Sequence, residues 1–369
     1  MAVLAFWVST AAGEPFIPRD DSAVLAEVSP GTRHSELATR RIAAQRLDVA
    51  LPLAQLYIKQ SRSTGDLRFL GYADAVLGPW IGPNTQSADA LVLHATVLQS
   101  RHDFGGALTV LERARQLRPN DAQAWLTRAT VLRVVGDYQR ALAACEEIAE
   151  SVVVQLCRQG VLGLSGELPS AHAAIQHIES QGMAPEERAW RDSELGEMAV
   201  RLGRDVEAEH WFQNGLRASP GDFYIRAAYA DMLLRNNRAA EALTLLKGQE
   251  SLEPLLLRIA IAQKMLSDPE LQRSSERLAA AFAAEAQRGD GVHRREEARF
   301  LLDVRGDPRA ALAAALANWK VQREADDVLV LMRAAQAAGT PQVAEPAVTF
   351  VRARGLQDVR IAAAMGPPL

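Results

Sequence analysis

The chain of 369 residues has two cysteines, and only 5% of its residues are aromatic. Two cysteines set no disulfide framework, and the spacing of Cys145 and Cys157 is not Cys-x-x-Cys, which removes structural zinc and thioredoxin-like exchange. They read as buried thiols acting as small hydrophobes, with a disulfide staple expected only if the chain is exported. So few aromatics leave few stacking platforms for single strands, and 41 Lys+Arg against 45 Asp+Glu leave no basic footprint. Nucleic acid is therefore not an expected partner. No run approaches the roughly 18 apolar residues of a spanning helix, so no integral membrane span is expected.

Reaction centres are missing too. There is no Gly-x-x-x-x-Gly-Lys-Ser/Thr loop and no His-Glu-x-x-His. Gly163-Leu164-Ser165-Gly166 lacks one residue of a nucleophile elbow and follows no strand. Glu207 and His210 form a single Glu-x-x-His where a di-iron bundle uses two, and His172 and His177, five apart, diverge on one helix. No catalytic residue, metal or cofactor is expected, and the chain reads as a non-enzyme.

At the start, the apolar run Ala2 to Val8 followed by small residues has the layout of the second half of a secretory signal, although no Lys or Arg precedes Arg19. Residues 1–12 are thus expected to be a signal segment and the location periplasmic or secreted, the alternative being a packed apolar N-terminus in the cytoplasm. Residues 13–33, with Pro15, Pro18 and Pro30, read as an extended lead-in arm.

Beyond residue 34 the chain shows no sustained period-two alternation, and its Gly and Pro residues punctuate helical runs. Ala88, Leu91, Ala95, Leu98, Ala107 and Leu108 recur as Ala122, Trp125, Ala129, Leu132, Ala141 and Leu142, an offset of 122 − 88 = 34. Gly196, Ala208 and Pro220 recur as Ala230, Ala242 and Pro254 at the same offset. Val152 to Ile178 is a shortened copy. Small residues at matched places let paired helices approach, and large ones fill the space between.

Residues 88–254 resemble tetratricopeptide repeats, most completely over Ala122 to Ala149. The expected fold is an all-α, right-handed α-solenoid of about eight helix-turn-helix hairpins. It divides into an N-terminal hairpin at 34–84, a repeat core at 85–255, and degenerate hairpins and a tail at 256–369.

The resemblance implies that the first helix of each hairpin lines a concave groove that binds a peptide or partner protein. The matched positions give Gln99, Gln123, Arg133, Trp190, Glu197, Arg201, Tyr224, Asp231 and Arg235 as groove residues. The clamp that grips chaperone C-termini is absent, since Val92, Thr96, Leu126 and Thr130 stand where it needs charge or amide. Trp190 and Tyr224 beside arginines suit a mixed-polarity peptide with an apolar anchor, the alternative being that Trp190 packs into the adjoining turn. The clustered Arg294-Arg295-Glu296-Glu297 reads as a solvated face. The expected function is a protein-binding scaffold. The alternative is a structural subunit that self-associates through terminal hairpins carrying Leu312, Leu316 and Trp319. The partner's identity and the oligomeric state are not in the sequence.

Overall fold

The structure, a computed structural model, describes residues 42–149, 151–288 and 293–365. The expectations for residues 1–12 and 13–33 lie outside the described residues. Nine helical hairpins and a single closing helix follow one another, with no strand among the described residues. The hairpins pair α1 (Leu47–Thr64) with α2 (Arg68–Leu77), α3 (Ala88–Ser100) with α4 (Phe104–Leu117), and α5 (Ala122–Val134) with α6 (Tyr138–Glu146). Next come α7 (Val152–Leu162) with α8 (Leu168–Gln176), α9 (Pro185–Arg201) with α10 (Asp205–Ala218), and α11 (Phe223–Arg235) with α12 (Ala239–Leu246). The last three pair α13 (Glu253–Leu266) with α14 (Leu271–Arg288), α15 (Arg294–Arg299) with α16 (Pro308–Trp319), and α17 (Ala325–Ala337) with α18 (Glu345–Arg354). A π-helical segment, Phe300–Arg305, extends α15. Helix α19 (Val359–Met365) closes the array.

Local chemistry explains the hairpins. The turn inside each of the nine holds one residue at positive φ: Gly65, His102, Gly136, Gly166, Gly203, Asn237, Ser267, Gly306 and Gly339 in order. A left-handed residue ends the first helix and reverses the chain, which is why glycine fills six of these places. Helix starts are capped by short acceptors. Asp103, Asp121, Asp137, Asp222 and Asp307 each accept the N–H three residues on. Between the paired helices Ala95, Ala107, Ala129 and Ala141 are buried, as the register requires, and Trp125 donates its indole N–H to the Pro119 carbonyl at 2.8 Å.

One expectation is corrected. Cys145 and Cys157 are joined in a disulfide, Cα to Cα 5.7 Å, because α6 and α7 are packed neighbours. Leu312, Leu316 and Trp319 are half-buried against the core, with the Trp319 ring edge-on to Phe350 at 5.5 Å.

The array also closes on itself. Leu252 lies 3.1 Å from where a Cβ on Gly65 would stand, and the Phe350 ring lies 2.7 Å from the corresponding point on Gly136. The Arg323 N–H donates to the Val134 carbonyl at 2.8 Å. Leu168 N–H donates to Gln357 at 3.0 Å across 189 residues of chain, and Val359 sits against Gly203. The inner turns of hairpins one, three, four and five therefore lie under segments about six hairpins later. One superhelical winding stacks on the next along a seam. The turns at Gly306 and Gly339 have nothing within 4 Å and form the open rim.

Candidate functional site

Stacked winding turns the concave face into an enclosed space. A cavity of about 1180 Å³ is lined by the first helix of every hairpin and by α19. Of the groove residues expected from the sequence, Gln99, Arg133, Glu197, Arg201, Tyr224, Asp231 and Arg235 border it. Two are placed elsewhere. Gln123 is exposed away from the cavity and donates to Thr127, and Trp190 packs between hairpins with its indole N–H on Glu194 at 3.3 Å.

Helix α9 supplies Glu194, Glu197 and Arg201. Glu194 accepts from Arg133 at 2.5 Å; burial opposes the Arg133 charge, but Glu194 outweighs it and holds the guanidinium above its usual range. Glu197 is pushed up to about 7, first by burial and then by the Glu194 charge one turn away. The Tyr224 hydroxyl bonds to Glu197, and that carboxylate together with burial raises the phenol well above its ordinary value. Tyr224 is nonetheless 50% exposed, and the space it faces is the cavity. Arg201 donates to the Gly163 carbonyl at 2.7 Å, and burial pulls its pKa down because Glu197 and Glu194 compensate it incompletely.

Asp231 ties three successive inner helices together. It accepts from Arg258 of α13 and Arg299 of α15, each at 2.7 Å. Burial alone would raise this carboxyl, and the two guanidinium groups hold it well below the usual range. Arg235 pairs with Asp205.

The groove positions carried over from the repeat register end at Arg235, and the inner helices of the last hairpins line the cavity as well. Arg295 and Glu296 are not a solvated face. Arg295 donates to Glu324 at 3.0 Å. Glu296 is 9% exposed, and although burial pushes it up, Arg295 and Arg258 hold it at about 2. Arg360 of α19 pairs with Asp326 at 2.9 Å. An Arg or Lys closes five earlier inner helices, at Arg62, Arg133, Arg201, Arg235 and Lys264, where the macrodipole favours a cation, but Arg295 and Arg360 stand at helix starts and carry no such signal.

Metal chemistry finds one grouping among the described residues. Glu253, Glu285 and His293 bring ligand atoms within 4.8 Å of one another. His293 meets Glu285 at 2.6 Å; burial opposes its charge, but Glu285 outweighs burial and raises it to about 9. Glu207 and His210 take separate partners, Gln176 at 2.5 Å and Asn214 at 2.9 Å.

No protein-family model and no curated protein matches this chain. Solved structures do. A structure from the functional characterization of Pseudomonas aeruginosa PilF is 16% identical, covers 55% of this chain and 95% of its own, and has a TM-score of 0.37. A tetratricopeptide repeat protein from Parabacteroides merdae is 14% identical over 68% of this chain and 99% of its own, TM-score 0.40. A human IFIT1 dimer with PPP-AAAA is 12% identical over 81% of this chain and 70% of its own, TM-score 0.48. These likenesses add no functional argument. No helix of the described residues is long and apolar enough to cross a membrane. By its own 34-residue register, its hairpin geometry and its left-handed turns, the chain has an all-α solenoid fold built of helical hairpins that resemble tetratricopeptide repeats.

Proposed function

We propose that the protein is a non-enzymatic scaffold that holds an extended segment of a partner protein in the cavity enclosed by its inner helices. The observation that carries this reading is the convergence of all ten inner helices on one space, with Tyr224 presented to it by Glu197. At about 1180 Å³ the cavity exceeds the roughly 300–1,000 Å³ of ordinary small-molecule pockets. A half-exposed aromatic among arginines is the composition of a binding hot spot. The test is capture of partners by the immobilised full chain, with helicity followed by circular dichroism. Tyr224→Ala should reduce capture at least about tenfold with helicity unchanged, a loss of about 1.4 kcal/mol or more. Undiminished capture overturns the cavity assignment.

The Cys145–Cys157 disulfide supports location in an oxidising compartment, in keeping with the apolar N-terminal segment. N-terminal sequencing of protein purified from its native source checks this. A mature chain beginning at Met1 or Ala2 overturns processing of the segment.

A further inference from the structure

Glu253, Glu285 and His293 join three successive helix ends. Glu253 opens α13, Glu285 stands in the last turn of α14, and His293 directly precedes α15. Glu285 is buried and the other two are half-buried. Positions 253, 285 and 293 match no ligand motif, so the trio is assembled by packing and not by spacing. His293 Nδ1 lies 2.6 Å from Glu285 Oε1 and 3.7 Å from Glu253 Oε1. Four-coordinate zinc with bonds of about 2.0–2.1 Å holds its donors roughly 3.3 Å apart, so the two separations straddle what the ion needs. A side-chain shift of less than about 1 Å converts the hydrogen bond into shared coordination. One imidazole nitrogen with carboxylate oxygens suits zinc and its first-row neighbours better than magnesium or calcium, which prefer oxygen donors alone. A dication balances the two carboxylates and leaves the imidazole neutral, and the proton displaced from Nδ1 goes to solvent.

A second imidazole stands on the same cavity wall. His102, in the turn of the second hairpin, borders the cavity as His293 does, and lies outside the group gathered within 4.8 Å. Burial first, and then the His293 charge, push His102 down to about 4, so the two rings sense each other from one winding to the next. His102 holds a φ of 59°, a left-handed place that glycine fills in six of the nine turns, so an imidazole here comes at a cost in backbone strain. Its ring stacks on Phe104 with centroids 5.4 Å apart.

We propose that Glu253, Glu285 and His293 bind a divalent transition-metal ion of the zinc class, with His102 as the fourth donor. The ion clips the start of α13, the last turn of α14 and the start of α15 together, and ties them to the turn of the second hairpin across the seam. The inference does not depend on what the cavity holds. The competing account is a salt bridge in which protonated His293 serves the carboxylates by itself, which predicts no metal site of defined stoichiometry.

Isothermal titration calorimetry of zinc chloride into the untagged full chain, first stripped with chelator, separates the two. Zinc should bind at one site per chain with a Kd of about 10 μM or tighter, and about a hundredfold excess of magnesium should not displace it. Glu285→Gln and His293→Gln should each weaken binding at least about tenfold with helicity unchanged, and His102→Gln at least about threefold. His210→Gln, at an exposed ring beside Asn214, should leave the affinity as it is. Hydrogen exchange on the wild-type chain needs no variant to fold: zinc should add amide protection at the three helix ends and at the turn holding His102. Absence of saturable zinc binding, displacement by magnesium, protection gained elsewhere, or equal losses in His210→Gln and His293→Gln overturn the site. Protection at the three helix ends with unchanged affinity in His102→Gln overturns the fourth donor.

Discussion

Glu197 carries the clearest consequence at the scale of single residues. Its carboxyl keeps a proton to about 7 in the folded protein, while an unfolded Glu loses it near 4.3. Between those values the folded state binds more protons, so this group makes stability fall as pH rises, by up to about 4 kcal/mol. Glu296, held at about 2, acts oppositely, its contribution being lost as pH falls below about 4. Urea titrations at pH 5 and pH 8 should therefore show a decline that Glu197→Gln reduces; an identical decline in the variant refutes the assignment. The pairing of Glu197 with Tyr224 was not legible in the sequence, because one lies on α9 and the other on α11. Trp190 shows the converse. Its type suggested a contact residue, yet neighbouring hairpins enclose it, and composition alone does not distinguish those fates.

Turns and staples decide the energetics at the scale of elements. Gly136 and Gly339 hold the same place in their hairpins, at φ of 81° and 74°. Only Gly136 lies beneath another ring, that of Phe350. Gly339→Ala should thus cost about 1–2 kcal/mol from the left-handed backbone, and Gly136→Ala about 2–5 kcal/mol, since overpacking adds to it. Equal losses in urea unfolding would remove the seam from the explanation. The disulfide closes a sequence separation of 12 residues between α6 and α7. Cys145→Ser with Cys157→Ser should lower stability by about 3 kcal/mol, with thiol reductant no longer changing the midpoint. The helices themselves were legible, because apolar spacing, glycine turns and Asp caps are local signals. The shared turn geometry was also local, although His102, Asn237 and Ser267 supply it without glycine.

Over the whole molecule, stacking of one winding on the next changes how the solenoid should unfold. In an open array each repeat meets only its neighbours, so damage stays local. Here Phe350 touches Tyr138, ring centroids 6.0 Å apart, and residues from Trp125 to Val161 share one cluster with residues from Ala298 to Ile361. Phe350→Ala should cost about 3–5 kcal/mol and lower amide protection across Val134 to Ala141 as well as the last hairpins. Protection lost only beside position 350 would restore the open-array description.

The sequence by itself determined the helices and the period, since these depend on residues within about one repeat of each other, whereas the assignment of first helices to the inner face came from the resemblance. In the structure seven of the nine expected groove residues line the cavity. Tertiary structure alone decided that the groove is enclosed, that α15, α17 and α19 complete it, and that Cys145 meets Cys157. Small rotations between successive hairpins accumulate along the array, and where they bring residue 168 to residue 357 is a property of the winding, which no local pattern encodes.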